Sequence, residues 1–281
     1  MQLSTEDQRR RALAFRDLHT APGAFVIANA WDAGTARLLS GLGFAALATT
    51  SAGLAFALGR ADGANLVDRD EALANARAIV AATELPVAAD LENGFGRSPQ
   101  EVAETIRLAA ATGLVGGSIE DATGRSSEPI FPFEAAVERV RAAVAAAREL
   151  DFPFTVTARA ENFLHGRPDL DDTVRRLRAF EAAGADVLFA PGLPDAEAVR
   201  TVCSAVSKPV SVIAAGPIAE LTVDQLAELG ARRISVGSAF ARLALAAAQR
   251  SAAEILRTGG FGSFAGAVPM AEINAVMEQP A

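Results

Sequence analysis

The chain of 281 residues has one cysteine, Cys203, no tyrosine, two histidines and a single lysine, Lys208. One cysteine excludes an intrachain disulfide and a multi-cysteine zinc site, and a reduced, cytoplasmic setting is the simplest reading. Schiff-base chemistry would have to fall on Lys208 alone. Clustered basic charge is missing too. The 26 Lys and Arg stand against 34 Asp and Glu, a formal charge of −8, which argues against a nucleic-acid groove. The N-terminal "MQLSTEDQRRRALAFRDLH" lacks the apolar core of a secretory signal and reads as a surface helix. The one long uncharged stretch, Leu38 to Gly59, runs 22 residues but is rich in Gly, Ser and Thr. It reads as a helix end, a buried strand and a loop rather than as a membrane span.

What is abundant is small apolar residues, arranged in one repeated rhythm. The strand candidates are "FVIANA" from 25, "FAALATT" from 44, "PVAADLE" from 86, "GGSIED" from 116, "FTVTARAE" from 154, "ADVLFAPG" from 185, "PVSVIAA" from 209 and "RISVGSA" from 233. They are apolar throughout, as parallel strands covered on both faces should be. Helical spacing separates them. "SPQEVAETIRLAAATG" from 98 has Ser98 to cap its start and Gly113 to stop it, and "DLDDTVRRLRAFEAAGAD" from 169 ends at Gly184. No linker interrupts the series, so residues 1–281 read as one α/β domain.

Eight βα units in roughly 250 residues match a (β/α)₈ TIM barrel. A doubly wound open sheet is the alternative, but "NAWDAGTA" after the first strand is not its Gly-rich dinucleotide turn. An Ala-rich helix from about 239 to 257 opens a C-terminal helical extension, 240–281, suited to packing on a neighbouring subunit.

In such a barrel the chemistry belongs at the C-terminal strand ends. There the sequence places "TTSAG", "DLENG", "EDATG" and "ARAEN". Asp90, Glu92 and Glu120 with Asp121 offer hard oxygen ligands for Mg²⁺, or Mn²⁺, with one carboxylate binding directly and others holding its waters. The alternative is that these acids cap helices or form salt bridges. Arg159, alone in an apolar "VTARA", pairs either with those acids and an anionic substrate or with Glu161. The small-residue loop "ATTSAGLA" from 48 offers backbone N–H groups to a carboxylate or phosphate, or is an ordinary turn. Asp62 follows on the same loop, as a further acid or as a turn residue. His165 is a weaker acid/base candidate and His19 weaker still, while Cys203 reads as packing.

Taken together, "NAWDAGTARLL", "TTSAGLAFALG", "AADLENGFG", "SIED", "TARAENFL", "AGADVLFAPGL" and "RRISVGSA" resemble the phosphoenolpyruvate mutase/isocitrate lyase superfamily. The resemblance implies a TIM barrel, often with its last helix swapped to a partner subunit, assembled as a homo-oligomer such as a dimer or tetramer. It implies a Mg²⁺ site acting on small 2-oxo or 2-hydroxy acids or phosphonates. Asp90 would be the direct ligand, with Asp62, Glu92 and Glu120 acting through water. Arg159 would neutralise substrate charge, and the backbone of Thr50, Ser51 and Ala52 would bind its carboxylate. Arg159 and Glu120 are the catalytic candidates. The shared chemistry breaks a C–C or P–C bond beside a carbonyl through a metal-stabilised enolate.

One stretch departs from the family. Isocitrate and methylisocitrate lyases carry Lys-x-Cys-Gly-His after the fourth strand, where this chain has "ATGRSSEPIFPFE" without Cys, His or Lys. Those two activities are disfavoured, and the Lys and Asn of phosphonate-processing members are absent as well. Arg125, Ser126 and Ser127 stand there instead, with no assigned role. A Mg²⁺-dependent lyase or decarboxylase is the leading expectation. Alternatives are a phosphonomutase or phosphonopyruvate hydrolase, a class II type aldolase, and a non-catalytic barrel.

Overall fold

The computed structural model describes residues 3–278, so the first two residues of the expected N-terminal helix and the last three of the expected extension lie outside it. Eight parallel strands close into a barrel in sequence order. They are β1 Phe25–Asn29, β2 Leu47–Ala48, β3 Val87–Asp90, β4 Gly116–Glu120, β5 Thr155–Arg159, β6 Val187–Phe189, β7 Val210–Ile213 and β8 Ala231–Ser235. The helices are α1 Thr5–Leu18, α2 Ala33–Gly41, α3 Ser51–Ala57, α4 Arg69–Ala81, α5 Pro99–Ala110 and α6 Phe133–Arg148. They continue with α7 Leu170–Ala182, α8 Ala196–Ala205, α9 Val223–Glu228, α10 Ala239–Thr258 and α11 Met270–Met277.

Local chemistry sets many of the helix starts. Ser98 and Glu101 form a reciprocal capping box at α5, and Asp68 with Glu71 does the same at α4. Each cap satisfies amides that the first turn leaves orphaned, worth about 1 kcal/mol. Gly113 and Gly184 lie beyond the ends of α5 and α7 with φ of +95° and +98°, the left-handed stop that glycine adopts without strain.

The principal core lies between the sheet and its helices, where Val102, Ile106, Val156, Leu177 and Phe180 are buried together. A second cluster fills the barrel's base. The N-terminal helix is therefore more than a surface element, because α1 buries Ala12 and Phe15 there. Phe15 packs edge-to-face on His19 at 4.8 Å. Gly116 makes room for it: a β-carbon at that position would stand 3.1 Å from the Phe15 ring and 2.8 Å from the Thr155 carbonyl oxygen.

Residues 38–59 divide among the end of α2, β2 and α3, and among the described residues no helix is long and apolar enough to cross a membrane. One expectation needs correction here. "ATTSAGLA" is not an open loop: β2 stops at Ala48, Thr50 accepts from the Gly53 amide at 3.3 Å, and α3 starts at Ser51. Gly53 lets α3 approach, since a β-carbon there would lie 2.8 Å from Trp31 Cβ.

Candidate active site

The inward positions of β2, β3, β4 and β5 meet at the barrel's C-terminal mouth. Strand register sets Glu120 beside Arg159, and Asp90 beside Ser118. Arg159 is the hub, its side chain 13% exposed. Its Nε donates to Glu161 at 2.8 Å, Nη1 to Asp90 at 3.1 Å, and Nη2 pairs with Glu120 at 3.2 Å. The two readings of Arg159 thus merge, because it holds the expected acids and Glu161 together. The face of Phe189 lies 5.1 Å from its guanidinium carbon and adds a cation–π contact.

Asp90 is anchored from several sides. Thr49 Oγ1 accepts from its amide, Ser51 donates to Oδ2 through Oγ at 3.1 Å, and the Glu92 amide donates to Oδ1 at 3.2 Å. That turn sets Glu92 at φ +46°, a left-handed conformation unusual for a glutamate. Asp62 closes the group, standing beside Ser51 and accepting from the Gly63 amide.

The cluster holds more negative charge than one guanidinium balances, and its titration reflects that. Burial first, then Asp90 and Asp62, push Glu92 up to about 8. Desolvation and Asp90 raise Asp62. Glu120 rises well above the usual carboxylate range because burial outweighs its pairing with Arg159. Burial works against the charge of Arg159, yet Glu161, Glu120 and Asp90 together keep it firmly protonated.

Thr50, Ser51, Ala52, Asp62, Asp90 and Arg159 all line one cavity of ≈ 210 Å³. Glu120 and Glu92 join them through Arg159 and Asp90. Asp121 does not belong to this group. It turns outward to α7, where Oδ2 accepts from Arg176 at 2.9 Å, while its Oδ1 accepts from the Glu161 amide at 2.8 Å. It steadies Glu161 and, through it, Arg159.

The remaining candidates lie elsewhere. His19 is at the base, its Nδ1 donating to the Phe15 carbonyl at 2.8 Å, and burial pushes it down to about 3. His165 sits on the loop after β5, outside the cavity lining. Cys203 packs under Gly230 on α8, and burial lifts its thiol to about 12. Lys208 is exposed just before β7, at the opposite end of the barrel from the acids.

The loop at 122–132 folds back on itself. Ala122 bridges Ile130, the Phe131 amide donates to the Asp121 carbonyl at 2.7 Å, and Asn65 Nδ2 donates to the Thr123 carbonyl at 3.2 Å. Arg125 is paired with Glu128 of the same loop. Ser126 and Ser127 are exposed.

A family model described as phosphoenolpyruvate phosphomutase matches residues 15–256. The chain belongs to the phosphoenolpyruvate mutase/isocitrate lyase superfamily. Within it, a Burkholderia cenocepacia J2315 structure provisionally named a lyase/mutase is 57% identical, with TM-score 0.95, covering 98% of each chain. The 2,3-dimethylmalate lyase structure is 28% identical with TM-score 0.83, covering 95% of this chain and 94% of that one. Escherichia coli (strain K12) 2-methylisocitrate lyase is 30% identical over 222 residues, 76% of this chain and 73% of its own. The superfamily comprises lyases and mutases, so the TIM barrel described above is an enzyme's scaffold.

Two residues of this region stand out only in the structure. Glu161, which sequence offers only as a salt-bridge partner of Arg159, is one of its three acids, and Arg233, the first residue of the strand segment "RISVGSA", lies on the cavity wall. Stepping inward by two from Ser235, the spacing of one strand face, is the signal that finds Arg233.

Proposed function

We propose that the protein is a Mg²⁺-dependent lyase, with Mn²⁺ an alternative cation, that cleaves the bond next to the carbonyl of a small 2-oxo or 2-hydroxy acid. The observation that carries this is the excess of carboxylate around one guanidinium: buried Glu161, half-buried Asp90, Glu92 and Glu120, and the more exposed Asp62 nearby share only Arg159. The donor set suits a hard cation. Among the described residues no three His, Cys, Asp or Glu side chains converge as a direct ligand set. That favours one direct carboxylate, Asp90, with Asp62, Glu92 and Glu120 holding waters, a pattern common for Mg²⁺. A bound divalent cation would supply positive charge to the substrate oxygen that turns negative as the bond breaks.

The chain's own residues do the rest. Three of the five N–H donors of Arg159 are committed to acids, leaving two for a substrate oxygen. Their hold on developing charge strengthens in the transition state, which is what accelerates a reaction. The Ala52 amide at the start of α3, beside the Ser51 amide that donates to Asp90 Oδ2 at 3.4 Å, receives the substrate carboxylate, with Thr50 capping the Gly53 amide. Burial raises Glu120 well above the usual carboxylate range, and positive charge arriving beside it would act in the opposite direction. Loop 122–132 lacks the Lys and Asn of phosphonate-processing members, which favours lyase or decarboxylase chemistry over P–C rearrangement.

The chain acts as one domain, 1–281, in a cytoplasmic homo-oligomer. Of the 20 residues of α10 only Ala241 is buried, and Leu243, Leu245 and Leu256 are 61%, 52% and 88% exposed, as a helix meant for a second copy would be. Light scattering should therefore give at least a dimer. The activity test incubates purified protein and Mg²⁺ with oxaloacetate, substituted malates and phosphonopyruvate. Pyruvate, oxalate or glyoxylate release above the protein-free rate is expected, and no release from any of them refutes the reading.

A further inference from the structure

A second cavity, of ≈ 330 Å³, opens between the start of α4, the turn after β3 and loop 122–132, and it shares no lining residue with the cavity that holds Arg159. Three arginines, Arg69, Arg97 and Arg125, stand on its wall against one acid, Asp68. That acid is committed: its Oδ1 accepts from the Glu71 amide at 2.8 Å and caps α4, whose dipole favours negative charge there. Arg125 is answered by Glu128. Arg69 and Arg97 are not, for among the described residues neither guanidinium has a carboxylate, carbonyl or ring partner. The Nε of half-buried Arg69 is shut off from solvent with nothing accepting its proton.

Neither local role of an arginine explains Arg69. It makes no ion pair, and as the first residue of α4 it sets a cation at the positive end of a helix, where the dipole opposes it. An unsatisfied buried N–H is destabilising, and a bound acceptor removes the cost. The backbone nearby is also held in uncommon conformations. Asn65 at φ +51° and Phe95 at φ +53°, both on the cavity wall, are two of the three non-glycine residues with positive φ among the described residues. Such strain collects at binding sites.

The chemistry of the wall selects the ligand. Two unanswered guanidiniums match a phosphate monoester, which carries a charge of about −2 at neutral pH, and their forked donors fit its oxygens. The remaining wall includes Val67, Phe95 and Phe131, an apolar surface that a bare anion would leave unused. We infer that this cavity is a second ligand site, in which Arg69 and Arg97 grip the phosphate of a small monoester while Val67, Phe95 and Phe131 hold its organic body. The inference stands apart from the 2-oxo acid reading, since it uses none of that site's residues.

Calorimetry with phenyl phosphate and with inorganic phosphate tests it on wild type, R69M and R97M, each first shown to unfold cooperatively in urea. Phenyl phosphate should bind wild type with a millimolar or tighter Kd, and more tightly than inorganic phosphate. The affinity should be the same whether or not Mg²⁺ and saturating oxalate are present. R69M and R97M should each weaken it about tenfold or more, as loss of a charge-assisted contact does, and R69K should keep part of it. No binding by wild type, binding unchanged in either methionine variant, or displacement by oxalate with Mg²⁺ overturns the site. Equal affinity for the two probes overturns the apolar seat and with it the monoester.

Discussion

Glu92 offers a measurement that requires no substrate. Its carboxyl, ordinarily near 4.5, is pushed up to about 8 by burial and by the charges of Asp90 and Asp62. The folded protein therefore binds a proton that the unfolded chain has already released across that interval. Stability of the metal-free protein must fall as pH rises from about 4.5 to about 8, and the deficit is complete above 8. A shift of this size corresponds to roughly 5 kcal/mol, an upper figure because Asp90 and Asp62 share the same repulsion. E92Q removes the ionisation while keeping the shape of the side chain. Urea denaturation in chelator at pH 5, 7 and 9 should show wild type losing several kcal/mol relative to E92Q, and Mg²⁺ should restore most of the loss to wild type. Parallel pH curves for the two proteins would refute the claim that these acids repel one another around a cation site.

Other variants probe the parts separately. R159M strips the shared partner from three carboxylates and should destabilise the protein by about 3–5 kcal/mol at pH 8, and less at lower pH because burial raises Glu120 and Glu161, in the same denaturation assay. G53A drives a β-carbon to within 2.8 Å of Trp31 Cβ and should cost about 1–3 kcal/mol and weaken oxalate binding by displacing the start of α3. F15A opens a cavity at the barrel's base and should cost about 3–5 kcal/mol in thermal or chemical unfolding, with little change in oxalate affinity once the protein is folded.

The barrel was legible because most of the parallel strands are largely apolar and many helices begin on a side chain that caps them, as Ser98 does at α5. Asp90, Glu120 and Arg159 were legible for a related reason: a charge at the end of an apolar strand has few other uses. Finer details depend on contacts distant in sequence. That α3 starts at Ser51 follows from Thr50 capping and from the close approach of Trp31, which composition does not reveal. Asp121 looked equivalent to Glu120, but alternation along the strand sends neighbouring side chains to opposite faces, one into the mouth and one to Arg176. The base was hidden because α1 precedes the first strand and its apolar positions look like any amphipathic helix. The charge of Arg233 was hidden among arginines, and only its place on the cavity wall distinguishes it.

The central claim is that Asp90 is the corner on which a cation and a 2-oxo acid assemble. Titration of oxalate into wild-type protein and D90N, with and without Mg²⁺, tests it most directly. Wild type should bind oxalate only when Mg²⁺ is present, and D90N should lose at least about 100-fold in that affinity while keeping its fold. Equal Mg²⁺-dependent binding by the two proteins would contradict the account.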